Sequence, residues 1–480
     1  MKRLLILCTI LAAVAFITAP VFAEVQNVKV SGDINSGGAY RANYDIMSTN
    51  QTANGQNEDN SFLYTQARVR IDADLTDNVA TTVRFLTEYD WDTQANTSGA
   101  GDDVDLDLAN VTLKEAFYAP LTVTLGRQEL RYGNAFIIGD PDTNTTDADA
   151  ELTAGDLSLR KSFDAIKAVV DYSPLVVDVI YAKIDETTTA LGGNNPTTNT
   201  ADDEDLYGVN AAYDIGQYNA EAEAYWFFNR QNDQAATNGD EIHTFGVRGS
   251  ATPIDNLSLL AEIAWQRGDF DKQATNARPT KRDQDALAYQ IAGDYTFADI
   301  NIPWIDVAIV SPALKLGWTH YDGEETGNAG DNGAWIPLYE DQTHGVVANH
   351  ILGGVNGGQN SNADILNVGG SFVPLQDLTL SVDFYKFWLD EKLVANDNEQ
   401  ASNYTALMWT NLTEANYWMN TSDDLGHEID IALNYDYTED VKTGLSLGWF
   451  KPGDAFDGAN NTTTNDETAI QVLATLDVSF

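Results

Sequence analysis

The final eleven residues constrain this chain most. Ile470, Val472, Ala474, Leu476, Val478 and Phe480 fall on one face of an extended strand. Gln471, Thr475, Asp477 and Ser479 fall on the other, with Leu473 the one exception. Successive strand side chains point to opposite faces, so this period of two builds one apolar wall and one polar wall. The chain then stops on an aromatic residue. A sandwich strand can alternate in the same way. A strand greasy outside and wet inside, repeated through the chain, is what a closed barrel in a bilayer requires.

The alternation does recur. Clusters of Gly, Asn, Asp, Thr and Pro divide the chain into about eighteen strands, with sixteen as the alternative count. They run over 25–44, 61–75, 79–91, 105–119, 121–133, 163–173, 175–186, 205–215, 218–232, 241–254, 257–270, 284–297, 311–322, 363–375, 378–391, 425–438, 441–454 and 468–480. Short connections such as 76–78, Pro120, Pro174, 216–217, 255–256, 376–377 and 439–440 alternate with long ones. Only 298–310 breaks that brevity. An antiparallel transmembrane β-barrel with both termini in the periplasm has this rhythm: short periplasmic turns, long extracellular loops. A sandwich or propeller has no reason to gather every long loop at one end. The predicted fold is therefore all-β, a single barrel in the bacterial outer membrane.

In 257–270, Leu257, Leu259, Ala261, Ile263 and Trp265 oppose Ser258, Glu262 and Gln266. A base facing lipid at mid-depth costs about 2–4 kcal/mol, and an acid less, so charges gather on the inner wall. Trp91, Trp226, Trp265, Trp318, Trp388 and Trp449 sit near strand ends and read as interfacial girdles.

Residues 1–23 read as a secretory signal: Lys2 and Arg3, an apolar run from Leu4 to Ile17, then Pro20-Val21-Phe22-Ala23. The barrel domain is then 24–480. The one cysteine, Cys8, lies in the signal, so the remainder offers no disulfide, thiolate ligand or cysteine nucleophile. Removing the signal takes away two bases and no acid, so the net charge of −47 becomes −49. Such a field repels nucleic acid. The expected surroundings are outer-membrane lipid and lipopolysaccharide.

Charged residues spaced by two mark the inner wall. Arg68 and Arg70 share a face with Gln66, Asp72 and Asp74. Arg84 and Glu88 share another, and Arg127, Glu129 and Arg131 a third. Later strands carry mainly acids, Glu262, Glu428 and Asp430 among them, with Arg248 the exception. Bases facing acids polarise a pore across its width. The loops are strongly acidic. Asp102 and Asp103, with Asp140 and Asp142, are candidate calcium ligands, though no helix-loop-helix calcium spacing is present. No other cofactor is expected. The five histidines, His243, His320, His344, His350 and His427, lie scattered at strand ends and loops. No nucleophile elbow, zinc-protease motif or phosphate loop is present, so an enzyme is not expected.

Lys114-Glu115-Ala116-Phe117-Tyr118, then Leu125-Gly126-Arg127-Gln128-Glu129-Leu130-Arg131-Tyr132-Gly133, then Arg160-Lys161-Ser162-Phe163-Asp164, resemble the alginate-export family of outer-membrane porins. Weaker echoes are Trp265 to Asp269, Gly317 to Gly323 and His427 to Asp430. The resemblance implies a monomeric eighteen-stranded barrel that passes solutes. It nominates Arg127, Glu129, Arg131 and Asp164 for lumen duty. The expected function is passive diffusion of small hydrophilic solutes: cations, neutral sugars or oligosaccharides. The alternatives are a loop-plugged surface barrel that binds divalent cations, or a polyuronate exporter. The loop 134–162 is long enough to fold inward as a constriction, anchored by Ile137 and Ile138.

Overall fold

Strands with this period pair edge to edge until the last meets the first. In chain order they are β1 (Asn27–Ala42), β2 (Asp59–Thr76), β3 (Val79–Asp90), β4 (Asp105–Leu113), β5 (Leu121–Glu129), β6 (Ser162–Tyr172), β7 (Leu175–Glu186), β8 (Asp202–Asp214), β9 (Glu221–Asp233) and β10 (Glu241–Ile254). After these come β11 (Leu257–Phe270), β12 (Arg282–Thr296), β13 (Ile300–Ile302), β14 (Val307–Tyr321), β15 (Asp331–Asn332), β16 (Ala363–Leu375), β17 (Leu378–Trp388), β18 (Asp424–Asp436), β19 (Val441–Pro452) and β20 (Ala469–Ser479). The computed structural model describes residues 27–44, 46, 59–91, 104–141, 155–186, 202–233, 240–270, 282–302, 307–325, 331–353, 360–392, 422–456 and 466–480. The signal segment 1–23, with Asp102, Asp103 and Asp142, lies outside them.

Two strands are accessory. Three-residue β13 pairs antiparallel with β14, and two-residue β15 runs parallel to β12. The other eighteen form an antiparallel ring. Its seam is β1 against β20, from Asp33 opposite Ser479 to Ala42 opposite Ile470. The Phe480 N–H and C=O both bond to Gly32 at 2.9 Å, so the last residue is part of the closure. Closure removes free sheet edges, which a bilayer cannot hydrate. The short connections gather at one end of the ring and the long ones at the other, as the strand alternation demands.

The outer face is apolar. Val28, Val30, Leu63, Val69, Val247, Leu259, Ile291, Leu314, Leu316, Ile429 and Leu476 are all exposed. Trp318 and Trp388 stack at 5.8 Å, and Trp226 lies parallel to Phe228 at 6.3 Å, on the same face. Among the described residues no helix is long and apolar enough to cross a membrane.

The hydrophobic core lies inside the ring. Wall residues Phe163, Ala182, Leu206, Phe227, Ala264, Ala286 and Tyr321 form one cluster with loop residues Phe136, Ile137, Ile138, Trp335, Leu338, Tyr339, Val347 and Ile351. An eighteen-stranded ring is too wide for its wall side chains to meet. Folded-in loops fill part of the space.

Candidate functional site in the barrel lumen

Two loops turn inward and bind each other. The first comes after β5, and the second lies between β14 and β16. The Tyr339 N–H donates to the Ile137 carbonyl at 3.1 Å, and the Tyr339 carbonyl accepts from Gly139 at 2.6 Å. The Asp341 N–H donates to Ala135 at 2.9 Å. Phe136 stacks on Tyr321 at 5.5 Å, and Tyr339 meets Phe163 edge-on at 5.9 Å. The anchor expected at Ile137 and Ile138 is therefore in place. The second loop is acidic in sequence, yet much of it is buried in the lumen. Trp335, Ile336, Leu338 and Tyr339 give it an apolar side to bury. Two of its acids have basic partners: Glu324 pairs with Arg282, and Asp341 with Arg131 and Lys161.

Wall side chains hold this plug by its backbone. Gln266 of β11 donates to the Ile336 carbonyl at 2.6 Å and accepts from the Ile336 N–H at 2.9 Å. Gln284 of β12 donates to Ala334 at 2.9 Å. Glu428 of β18 accepts from Val347 at 2.8 Å and Ala348 at 2.6 Å, at the start of a helical turn, Ala348–Gly353. Beside that turn, Asp156 joins three elements. It pairs with Arg41 of β1 at 2.6 Å and lies 3.6 Å from His350. Burial pushes its carboxyl up, but the His350 and Arg41 contacts outweigh burial and hold it at about 2.

Arg68, Arg70, Arg84, Glu88, Arg248, Glu262, Glu428 and Asp430 lie on the inner face, in step with buried Gln66, Leu86, Tyr225 and Gln266. The bases are compensated one by one. Arg68 pairs with Asp33 at 3.0 Å and Arg70 with Asp72 at 2.8 Å. Arg84 bonds to Asp107 and Glu129. Arg248 bonds to Glu221 and Glu223 and lies 4.0 Å from Glu262. Arg131 reaches Asp341 on the second inward loop. Asp140 meets that loop through its backbone N–H, which donates to Tyr339 at 3.0 Å.

Arg127 and Asp164 correct the expectation. They stand opposite each other and bond at 2.8 Å, but on the outer face. Their neighbours on that face, Leu125 and Ile166, are 41% and 45% exposed, whereas Phe163 and Ala165 point inward. The physical reason is that β5 and β6 keep their period of two, so Arg127 follows Leu125, and Asp164 goes with Ile166, onto the lipid side. Gly126, at φ 113°, where a Cβ would overlap the Ala109 carbonyl oxygen, stands next to the end of the β4–β5 pairing at Ala109–Arg127. Above it the two strands part. A cavity of about 270 Å³ occupies the gap, reaching from Leu86 and Asp107 inside to Arg127 and Asp164 outside. Simple alternation already puts Arg127 on the face of Val123 and Leu125; only its charge and the family likeness point to the lumen.

A closed antiparallel ring with an apolar exterior, a polar inner wall and inward-folded loops defines an outer-membrane barrel channel of porin type. The chain belongs to the alginate export family, whose description matches residues 33–469. No curated protein matches it in sequence. Its fold is similar to that of OccD3 (OpdP) of Pseudomonas aeruginosa, at 13% identity and a TM-score of 0.51, covering 95% of this chain and 92% of that one. The outer membrane protein OprD of the same organism matches at 11% identity and a TM-score of 0.51, over 95% and 96% of the two chains. OpdQ gives 11% and 0.51, over 95% and 98%. This is an outer-membrane protein, in a lipid environment, with the fold and family of channels.

Proposed function

We propose that the barrel is a passive diffusion channel for small hydrophilic solutes, with cations and neutral sugars or oligosaccharides ahead of anions. One observation carries this reading: the inner arginines are each paired with carboxylates. A paired arginine offers a hydrogen-bonding dipole to a passing solute but little net positive field. The acids exceed the bases over the whole chain, 73 against 26, so cations gather at the mouth. The wall then orients solutes by hydrogen bonding, and the inward loops set the size limit. This is transport, not catalysis. The barrel would act as a monomer, with lipopolysaccharide against its outer rim.

The family description favours a second reading, export of a polyuronate. A polyanion needs a net basic path to lower its barrier. The reversal potential in a salt gradient separates the two. Cation preference, with current interrupted by neutral oligosaccharides, supports the first. Anion selectivity, with current blocked by oligouronates alone, would replace it with the second.

A further inference from the structure

The five histidines fall on no motif, yet one of them stands at a constructed site. His320 is next to last in β14, on the outer face with Leu316 and Trp318. Asp322 comes next but one, at the root of the second inward loop. Asp390 lies just past β17, whose last residue is Trp388. One ligand atom from each of these three residues lies within 4.8 Å of the other two. We propose that His320, Asp322 and Asp390 form a binding site for a divalent transition-metal ion on the outer rim of the barrel.

Each of the three side chains is held by a neighbour. His320 Nδ1 lies 2.9 Å from Asp364 Oδ1, on the neighbouring strand β16. That contact sets the imidazole tautomer and leaves Nε2 turned toward Asp322, also at 2.9 Å. A carboxylate behind a histidine is the usual outer-shell support of a metal-binding imidazole. Asp322 is held by its other oxygen, Oδ2, which accepts from the Leu287 N–H of β12 at 2.6 Å. Asp390 is held likewise, its Oδ2 accepting from the Gly323 N–H at 2.8 Å. Each ligand thus uses one atom for support and has another to offer. The supports come from strands and strand ends, which fix position better than free loops.

The donor set names the class of metal. One imidazole nitrogen and two carboxylate oxygens suit zinc, manganese or another first-row ion; calcium and magnesium take oxygen alone. Three protein ligands leave positions for water, as an open zinc site does. The site would also tie the plug to the wall. The Asp322 carbonyl accepts from Trp335 at 2.9 Å and from Asn362 at 3.2 Å, the two ends of the inward segment. A metal at Asp322 would fix the root from which that segment turns inward. This assignment does not depend on which solute the channel passes.

The test is zinc titration of the full barrel in detergent after chelation, read by calorimetry and by X-ray absorption at the zinc edge. Folding of each variant is checked by heat-modifiable migration. The expected result is one equivalent of zinc with a single imidazole in its shell, and weak or absent calcium binding. His320→Ala should abolish it. Asp364→Asn, which removes only the support, should weaken affinity about 10–100-fold. Failure to bind zinc would overturn the site, leaving His320 as a side chain hydrogen-bonded between Asp322 and Asp364. So would binding that persists unchanged in folded His320→Ala or in a folded Asp322→Asn/Asp390→Asn double variant. Conductance plays no part in these outcomes, so the channel reading stands or falls separately.

Discussion

At the scale of single residues, lumen charges act as pairs. Arg84 is buried, and the Asp107 side chain beside it is 1% exposed. Removing one partner strands the other, so Arg84→Ala should cost about 3–5 kcal/mol, read as a lower urea midpoint of the folded band. His344, in the plug, behaves differently. Burial pushes its imidazole down to about 4, with Lys315 adding repulsion. The folded segment therefore prefers the neutral ring, while an unfolded one takes a proton near the usual value of about 6.5. Stability from this group is full above about 6.5 and falls as the pH drops toward 4. Asp156, held at about 2, supports the plug above about 4 and fails only as the pH falls through 2. Acidification from 7 to 4 should thus raise hydrogen exchange in 344–351, corrected for the intrinsic rate, and His344→Gln should remove that response. The placement of Arg68, Arg84, Glu262 and Glu428 was legible, because alternation assigns a face to every residue of a straight strand. That of Arg127 and Asp164 was misjudged, because charge and family likeness were weighed above alternation, which puts them with Leu125 and Ile166 on the outer face.

At the scale of elements, strands and loops differ in how far pattern reveals them. A strand between lipid and water must alternate, so its sequence states its two faces. The inward segments obey no period. Trp335, Ile336, Leu338 and Tyr339 are apolar but irregular, and only the wall shows what they pack on. The proposed metal cluster was hidden for a similar reason: His320 and Asp322 are close in sequence, but Asp390 joins them from the end of another strand. Two substitutions test these elements. Gly126→Val places a side chain at φ 113° and against the Ala109 carbonyl, which should cost about 1–3 kcal/mol at the β4–β5 junction. It should appear as earlier thermal unfolding of the barrel. Trp335→Ala should weaken docking of the second inward loop by about 3–5 kcal/mol and leave the ring standing. Its expected signature is a noisier, larger open-channel current with unchanged heat-modifiable migration.

At the scale of the whole molecule, one arrangement explains the parts. The ring is closed at β1–β20, its lipid side is apolar, and its interior is divided between paired charges and docked loops. Eighteen strands leave more room than the plug's core takes, and the polar wall can stay hydrated around it. The central claim is that a water-filled path persists past the inward loops. Single-channel recording of the purified barrel in a planar bilayer tests it most directly. Discrete, repeated current steps in simple salt are the predicted result. A correctly folded, membrane-inserted barrel that carries no current in any salt would contradict it.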